Sequence, residues 1–487
     1  EYREYERTST SVIDAYVKPI TRTYLERLNN ELRDSGFDGH FLMTRSGGGA
    51  MTLDTAKEQP VHLVLSGPAG GVIGAAYLGG LIGQPNLLTI DMGGTSLDSS
   101  LISDGKVTIE NQQRFEGLPM SIPTIDIHTI GSGGGSIAWI DEGGHLQVGP
   151  KSAGADPGPA CYNRGGESAT FTDAALTIGY LDPDNFLGGE IDIDLSLARN
   201  AIQKLADSLG MSLNDVAAGI VHISEVKMAG AVRVISIERG YHPKEFALCA
   251  FGGGGAFVAA NVARELGIPR AIIPPGPANF SAFGMLMVDV VHDYAQTNIM
   301  GLENLEVDTV NNIYAQLVEQ GHAALEADGF DAEQRSFVPT AELRYRGQEH
   351  TVNVPMPGLV LSSDDIPQIV ERFNAVHQQQ YGHSMMEDPI EIVTLRLRVI
   401  GLLPRPNMTK LDTATGDVDS ARKGSRSVYI RDKNDHVEYS VYDRMKLAAG
   451  HRIDGPAIIE EPSSTTLVHE SDVLTVGEYG ELLIEVG

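Results

Sequence analysis

Cysteine is scarce in this chain: Cys161 and Cys249 are the only two among 487 residues. So few thiols exclude a disulfide framework and point to a reducing compartment, the cytoplasm. A packing role is expected of Cys161, in the loop DPGPACYNRGG, over that of a catalytic thiol. Positive charge is also short, with 36 basic residues against 65 acidic ones and a net charge of −29. The resulting negative field repels nucleic acid and anionic lipid, so neither is expected as a partner. No run is long and apolar enough to span a bilayer, and no secretory signal is recognisable. An initiator Met is missing as well, as expected of a processed or partial chain. Several familiar motifs are absent: the G-x-x-x-x-G-K-S/T phosphate loop, the H-E-x-x-H zinc helix, the C-x-x-C pair, the G-x-S-x-G elbow and the Rossmann fingerprint. Their absence sets aside the chemistries those motifs carry.

What is present is an ordinary globular composition, 42% hydrophobic and 21% charged, in a length that suits about two to four domains. Residues 87–102 read LLTIDMGGTSLDSSLI. An apolar run ends in Asp91, turns through Gly93-Gly94 to Thr95 and Ser96, reaches Asp98 and becomes apolar again. That pattern predicts a β-hairpin whose turn presents backbone N–H groups and two hydroxyls between two carboxylates. Glycine in the turn removes the Cβ and lets an anion approach the backbone. The carboxylates suit a hydrated Mg2+, which prefers oxygen ligands and keeps several waters. The terminal phosphate of a nucleotide fits this set; so does a plain Gly-Gly turn with a Thr/Ser cap.

Elsewhere the chain repeats one device, an apolar strand feeding a glycine-rich turn, at 46–50, 66–71, 131–136 and 251–255. Strands alternating with helices, with such turns at strand ends, predict an α/β architecture and a ligand in the crevice where the turns converge. Apolar spacing predicts an amphipathic helix over 11–35, a strand at 40–45, and a strand entering a small-residue helix over 61–83. Helical periodicity returns over 196–210 and 213–237. Near residue 300 the texture changes to helices at 304–329 and 363–381 among short alternating strands. The expected division is therefore 1–298 and 299–487, the second unit being a strand-rich α+β domain.

Three further constellations carry chemistry-bearing residues. FGGGG places Gly252, Gly253, Gly254 and Gly255 between a buried strand and a helix, where backbone can lie against a phosphate or an adenosine and the helix end favours an anion. A flexible connector would look the same. In IDIHTIGSGGGS, Asp126 and His128 share one strand face, with the spacing for a metal or a proton relay, or for a buried His satisfied by a carboxylate. The loop 149–166 is long and rich in Gly and Pro, and Asp156 and Arg164 are its candidate working residues.

The order of these motifs resembles the second half of the actin, sugar-kinase and heat-shock ATPase fold. More specifically, LSGPAGGVIGAA, DMGGTS, IHTIGSGGGSIAWID, VGPKSAGADPGPACY, the FGGGG strand, PPGPANFSAFGM with VVHDYAQT, and GPAIIEEPSSTT look like the hydantoinase A/oxoprolinase family. The resemblance implies ATP and Mg2+ as cofactors. Asp91 to Asp98 would match the second phosphate motif and Gly252 to Gly255 the adenosine motif. Asp91 would orient Mg2+ through water, Gly93, Gly94, Thr95 and Ser96 would hold the terminal phosphate, and Asp98 would position the attacking oxygen or assist the metal. It also implies ATP-dependent opening of a cyclic amide such as a hydantoin, 5-oxoproline or a lactam. The alternatives are the ATP-using subunit of a ketone carboxylase and a non-catalytic scaffold. In each case a hydantoinase B-type subunit or domain is the expected partner. The fold needs a second phosphate hairpin that this chain lacks, so the chain alone is expected to form one wall of the ATP cleft.

Overall fold

The computed structural model describes residues 2–115 and 117–487 as a mixed α/β protein with three principal sheets. The central sheet is built around Leu87–Met92, whose residues are almost all buried. It pairs in parallel with Ala247–Phe251, which in turn pairs in parallel with Arg270–Ile273. On its other side it is antiparallel to Leu97–Ser103. The apolar faces of these strands need cover on both sides. The helices Leu213–Ile235 and Gly255–Leu266 pack in the large core on one side, and the small-residue helix Ser66–Leu81 packs in a second cluster on the other.

That small-residue helix lies against the short helix Phe280–Met285, and its glycines allow the approach. A Cβ on Gly70 would sit 2.4 Å from the Ser281 carbonyl oxygen, and one on Gly284 would overlap the backbone of Gly70.

The expected division near Asn298 falls inside a continuous strand, Val290–Gly301. This strand lies in a second sheet with Ile390–Gly401, Arg335–Tyr345 and Val352–Pro355, and it also takes in Leu42–Thr44 and Ala50–Thr52 from the chain's beginning. The reverse exchange occurs at the end of the chain. Leu482–Glu485 pairs with Arg270–Ile273, and Val473–Val476 and Arg452–Asp454 extend the central sheet further. A third sheet of Arg422–Ile430, Asp435–Asp443, Ala457–Glu461 and Ser464–Val468 packs into the same core as the central one.

Two local expectations are corrected. The apolar run at 61–65 forms no strand: Pro60–Leu63 is a 3₁₀ turn and Leu65 adopts φ 64° before the helix starts. Val61 buries against the N-terminal helix instead, with Ile13, Met120 and Ile122, while Leu65 is exposed. That helix spans Glu4–Asp34, but its apolar stripe is only partly inward. Ile13 and Leu25 are buried, whereas Val12, Tyr16, Ile20 and Tyr24 are 60, 80, 75 and 52% exposed. Periodicity marks a face; it does not say that this chain covers it.

Candidate functional site

The hairpin forms as its sequence predicts, with Asp91 directly opposite Asp98 and Met92 opposite Leu97. The Gly93 N–H closes the turn on the Ser96 carbonyl at 3.1 Å. Gly93, Gly94 and Thr95 are exposed, and among the described residues the side chains of Thr95 and Ser96 form no hydrogen bond. The turn is therefore ordered while its hydroxyls stay available.

It is ordered from beneath by the third glycine run. Gly134 and Gly135 donate to the carbonyls of Gly93 and Gly94 at 3.0 and 2.6 Å. A Cβ on Gly133 would lie 2.7 Å from both the Gly94 carbonyl carbon and the Thr95 nitrogen, so only glycine allows this contact. The Thr172 hydroxyl and N–H both donate to the Gly134 carbonyl, at 2.8 and 2.9 Å. The run 131–136 thus supports the first turn.

Facing the turn is the end of the strand Ala247–Phe251, with Phe251 in register with Asp91. Gly252 follows at φ 79°, and a Cβ there would stand 2.4 Å from Asp91 Oδ1 and 2.5 Å from the Met92 carbonyl. Gly254 donates to that carbonyl at 2.9 Å, and Gly255 opens the helix Gly255–Leu266 with no side-chain cap. The Gly255 N–H itself donates to the Gly252 carbonyl at 3.3 Å, so what the helix end offers an anion is its dipole.

Asp91 accepts a hydrogen bond from the Ser281 hydroxyl at 2.8 Å, and Asp98 accepts one from the Thr129 hydroxyl. Burial raises both carboxyl pKa values; at Asp91 the Ser281 hydrogen bond opposes this and Asp98 adds to it, while Thr129 opposes it at Asp98. Among the described residues neither acid has an ion-pair partner. Two half-buried acids facing each other without a counter-charge suit a divalent cation, which would restore the ionised forms. No cluster of three or more His, Cys, Asp or Glu with metal-binding geometry occurs among the described residues.

Gly93 and Gly94 share a cavity of about 220 Å³ with Gly253 and Gly254. Its apolar side carries Tyr162, Leu181, Phe186 and Phe257, and its remaining wall is the segment 460–465 from the C-terminal part of the chain. There Glu460 is buried, paired with Arg426 and Lys423, and approached by the Asn185 amide at 3.4 Å. Arg426 also reaches Asp182 at 2.7 Å. Ser281, Thr129, Thr172 and Glu460 were not singled out from the sequence as site residues. Each is an isolated polar residue whose relevance comes from a partner distant in the chain.

The other candidates lie elsewhere. Asp126 is buried and paired with Arg239 at 3.1 Å, and Glu110 reaches the same guanidinium at 3.5 Å. Together they line a separate cavity of about 380 Å³. His128 sits opposite Ser99 in the neighbouring strand. Asp156 is exposed on its loop, while Tyr162 of that loop does reach the glycine-lined cavity. Cys161 is fully buried beside Asp173, to which its N–H donates at 2.7 Å, and burial drives the thiol pKa far up. A thiolate nucleophile is not available there.

Comparison with known proteins gives matches over nearly the whole chain. The family described as hydantoinase/oxoprolinase matches residues 7–294, and the hydantoinase/oxoprolinase C-terminal domain matches 302–482. The caprolactamase subunit alpha of Pseudomonas jessenii is 34% identical, over 96% of this chain and 68% of that protein. The acetophenone carboxylase gamma subunit of Aromatoleum aromaticum is 31% identical, over 99% and 67%. The crystal structure of the ATP-dependent caprolactamase from Pseudomonas jessenii superposes with a TM-score of 0.91 at 33% identity, covering all of this chain and 71% of that one.

Proposed function

We infer the function from one premise: this chain belongs to the hydantoinase/oxoprolinase family. We propose that it is the greater part of the ATP-using subunit of a cyclic-amide hydrolase acting on hydantoin, 5-oxoproline or lactam rings. The supporting observation is the convergence of the Asp91–Asp98 hairpin and the Gly252–Gly255 turn on one cavity. The caprolactamase relative favours a cyclic amide as substrate.

An unstrained amide carbonyl is a poor electrophile, and ATP when bound supplies the phosphoryl group that, carried on the carbonyl oxygen, makes the carbon a better acceptor for water. Such chemistry asks a protein for positioning and charge stabilisation. The exposed N–H groups and hydroxyls of Gly94, Thr95 and Ser96 are placed to hold terminal phosphate oxygens. Asp91, held by the Ser281 hydroxyl on one oxygen and with the other facing the side of Gly252 that carries no Cβ, would orient Mg2+ through water. Asp98, fixed by Thr129, positions the attacking oxygen or shares the metal. The uncapped helix end at Gly255 adds a favourable dipole for the remaining phosphates.

Cytoplasmic location, Mg2+ and a hydantoinase B-type partner belong to the same proposal, as does a functional division of the chain near Asn298. The relatives are named as subunits, which supports a partner. A second reading, the ATP-using subunit of a ketone carboxylase, is supported by the acetophenone carboxylase relative. ATP hydrolysis by the full-length protein with its partner subunit separates them. Stimulation by hydantoin, 5-oxoproline or caprolactam supports the amide reading. Stimulation by acetone or acetophenone only with bicarbonate replaces it with the carboxylase, and hydrolysis with none of these overturns both.

A further inference from the structure

Three elements that wall the glycine-lined cavity also wall a larger one, of about 690 Å³. Leu181 and its neighbour Tyr180 face the two cavities respectively. The helix Gly255–Leu266 contributes Phe257 to one and Asn261 to the other, and the chain from Ser464 to His469 runs from one to the other. Nothing in the proposed ATP chemistry uses the larger cavity.

Its chemistry is divided by position. Glu225 is buried, and only one of its oxygens is engaged, by the Asn261 amide at 2.8 Å. The nearby Arg264 is already committed to Asp472 at 2.6 Å and to Asn261 at 2.8 Å. Burial pushes the Glu225 carboxyl up to about 7, against the opposing pull of Asn261 and Arg264. His469 shares a hydrogen bond with the Tyr439 hydroxyl at 3.1 Å, its Nε2 has no partner, and burial brings its pKa down to about 4. The inner wall therefore holds a carboxyl group with one oxygen open to a cationic donor, and an imidazole whose Nε2 has no partner. Ile178, Val221 and Val437 supply apolar wall. At the exposed rim stand Arg431, with no ion-pair partner among the described residues, and Lys433, paired with Glu470. A simple anion would meet Glu225, and a simple amine would leave Arg431 unmatched.

We propose that this cavity binds a small aliphatic amino acid, with its ammonium group on Glu225 and its carboxylate at Arg431 and Lys433. The methylenes between them lie along Ile178, Val221 and Val437. Ring opening of a lactam releases this class of molecule; that link rests on the proposed function, whereas the binding itself does not.

Calorimetric titration of the purified chain with 6-aminohexanoate tests it, with hexanoate and hexylamine as single-charge probes and no nucleotide present. The zwitterion is expected to bind roughly tenfold tighter than either probe, the scale of one charge-assisted contact. Glu225→Gln and Arg431→Gln should each weaken it by about the same factor. Arg431 is exposed, so its variant remains informative if Glu225→Gln folds poorly. No measurable zwitterion binding, equal binding of hexanoate or hexylamine, or unchanged affinity in a folded Glu225→Gln or Arg431→Gln overturns the proposal. Because ATP turnover is not read, failure here leaves the proposed function standing, and failure of that reading leaves this site standing.

Discussion

Gly252→Ala, paired with Gly253→Ala one residue along, offers a sharp test of the hairpin–turn contact. At 252 the backbone has φ 79°, and a methyl would stand 2.4 Å from Asp91 Oδ1 and 2.5 Å from the Met92 carbonyl. A left-handed alanine costs about 1–2 kcal/mol, and forcing a methyl into packed structure adds about 1–3 kcal/mol. Together these make about 2–5 kcal/mol, which at roughly 2 °C per kcal/mol lowers the melting temperature by ~4–10 °C. At 253 a methyl meets nothing within 4 Å and would project into the glycine-lined cavity. Gly253→Ala should therefore melt with the wild type, within about 0.5 kcal/mol. If the cavity takes nucleotide, the full-length Gly253→Ala protein should bind ATP about tenfold more weakly, as expected when one ligand contact is blocked. Scanning calorimetry and an ATP-binding titration read the two effects separately. Equal melting of the two variants would refute the packing argument, and wild-type ATP affinity in Gly253→Ala would refute the cavity assignment.

Asp91→Asn should leave melting unchanged or slightly raised, because it removes one of two facing acids, while nucleotide-dependent turnover of the complete complex falls by about 100-fold or more; unchanged turnover rejects its role. Glu225 has a folded pKa raised to about 7 from a usual 4.5. A raised acid contributes stability below its unfolded pKa and loses it as pH rises through the folded one. Denaturation from pH 4 to 8 should show Glu225→Gln gaining on the wild type by up to about 3 kcal/mol at pH 8, with the advantage vanishing near pH 4. On the N-terminal helix, Leu25→Ala should cost about 2–4 kcal/mol, whereas Tyr16→Ser should change thermal stability by less than about 0.5 kcal/mol; equal effects would contradict the burial pattern.

The hairpin at Asp91–Asp98 was legible because it is local: two carboxylates, two glycines and two hydroxyls occur within eight residues, and antiparallel pairing then places Asp91 opposite Asp98 automatically. The helices Leu195–Leu209 and Leu213–Ile235 were legible for the same reason, since a 3.6-residue period needs no distant partner. The run at 61–65 was misread because its apolar residues satisfy the strand pattern equally well while Val61 packs on a helix. Ser281, Thr129 and Glu460 escaped because nothing about a lone polar residue announces which loop it will meet. The interleaved sheets escaped for a deeper reason. Pairing Leu482–Glu485 with Arg270–Ile273 is a property of topology, and neither strand's sequence names the other.

That pairing has a consequence for how the protein is made. The strand Arg270–Ile273 emerges from the ribosome with one edge bare, and its partner is encoded roughly 200 residues later. At bacterial-to-eukaryotic translation speeds of about 5–20 residues per second, the edge waits for ~10–40 s. During that interval it offers unpaired N–H and C=O groups to any other nascent strand. The glycine-lined cavity is equally incomplete until the segment 460–465, roughly 200 residues beyond Gly253 and Gly254, has been made and supplies one of its walls. If that cavity takes nucleotide, a chain stopped before residue 460 offers it a pocket with one wall missing.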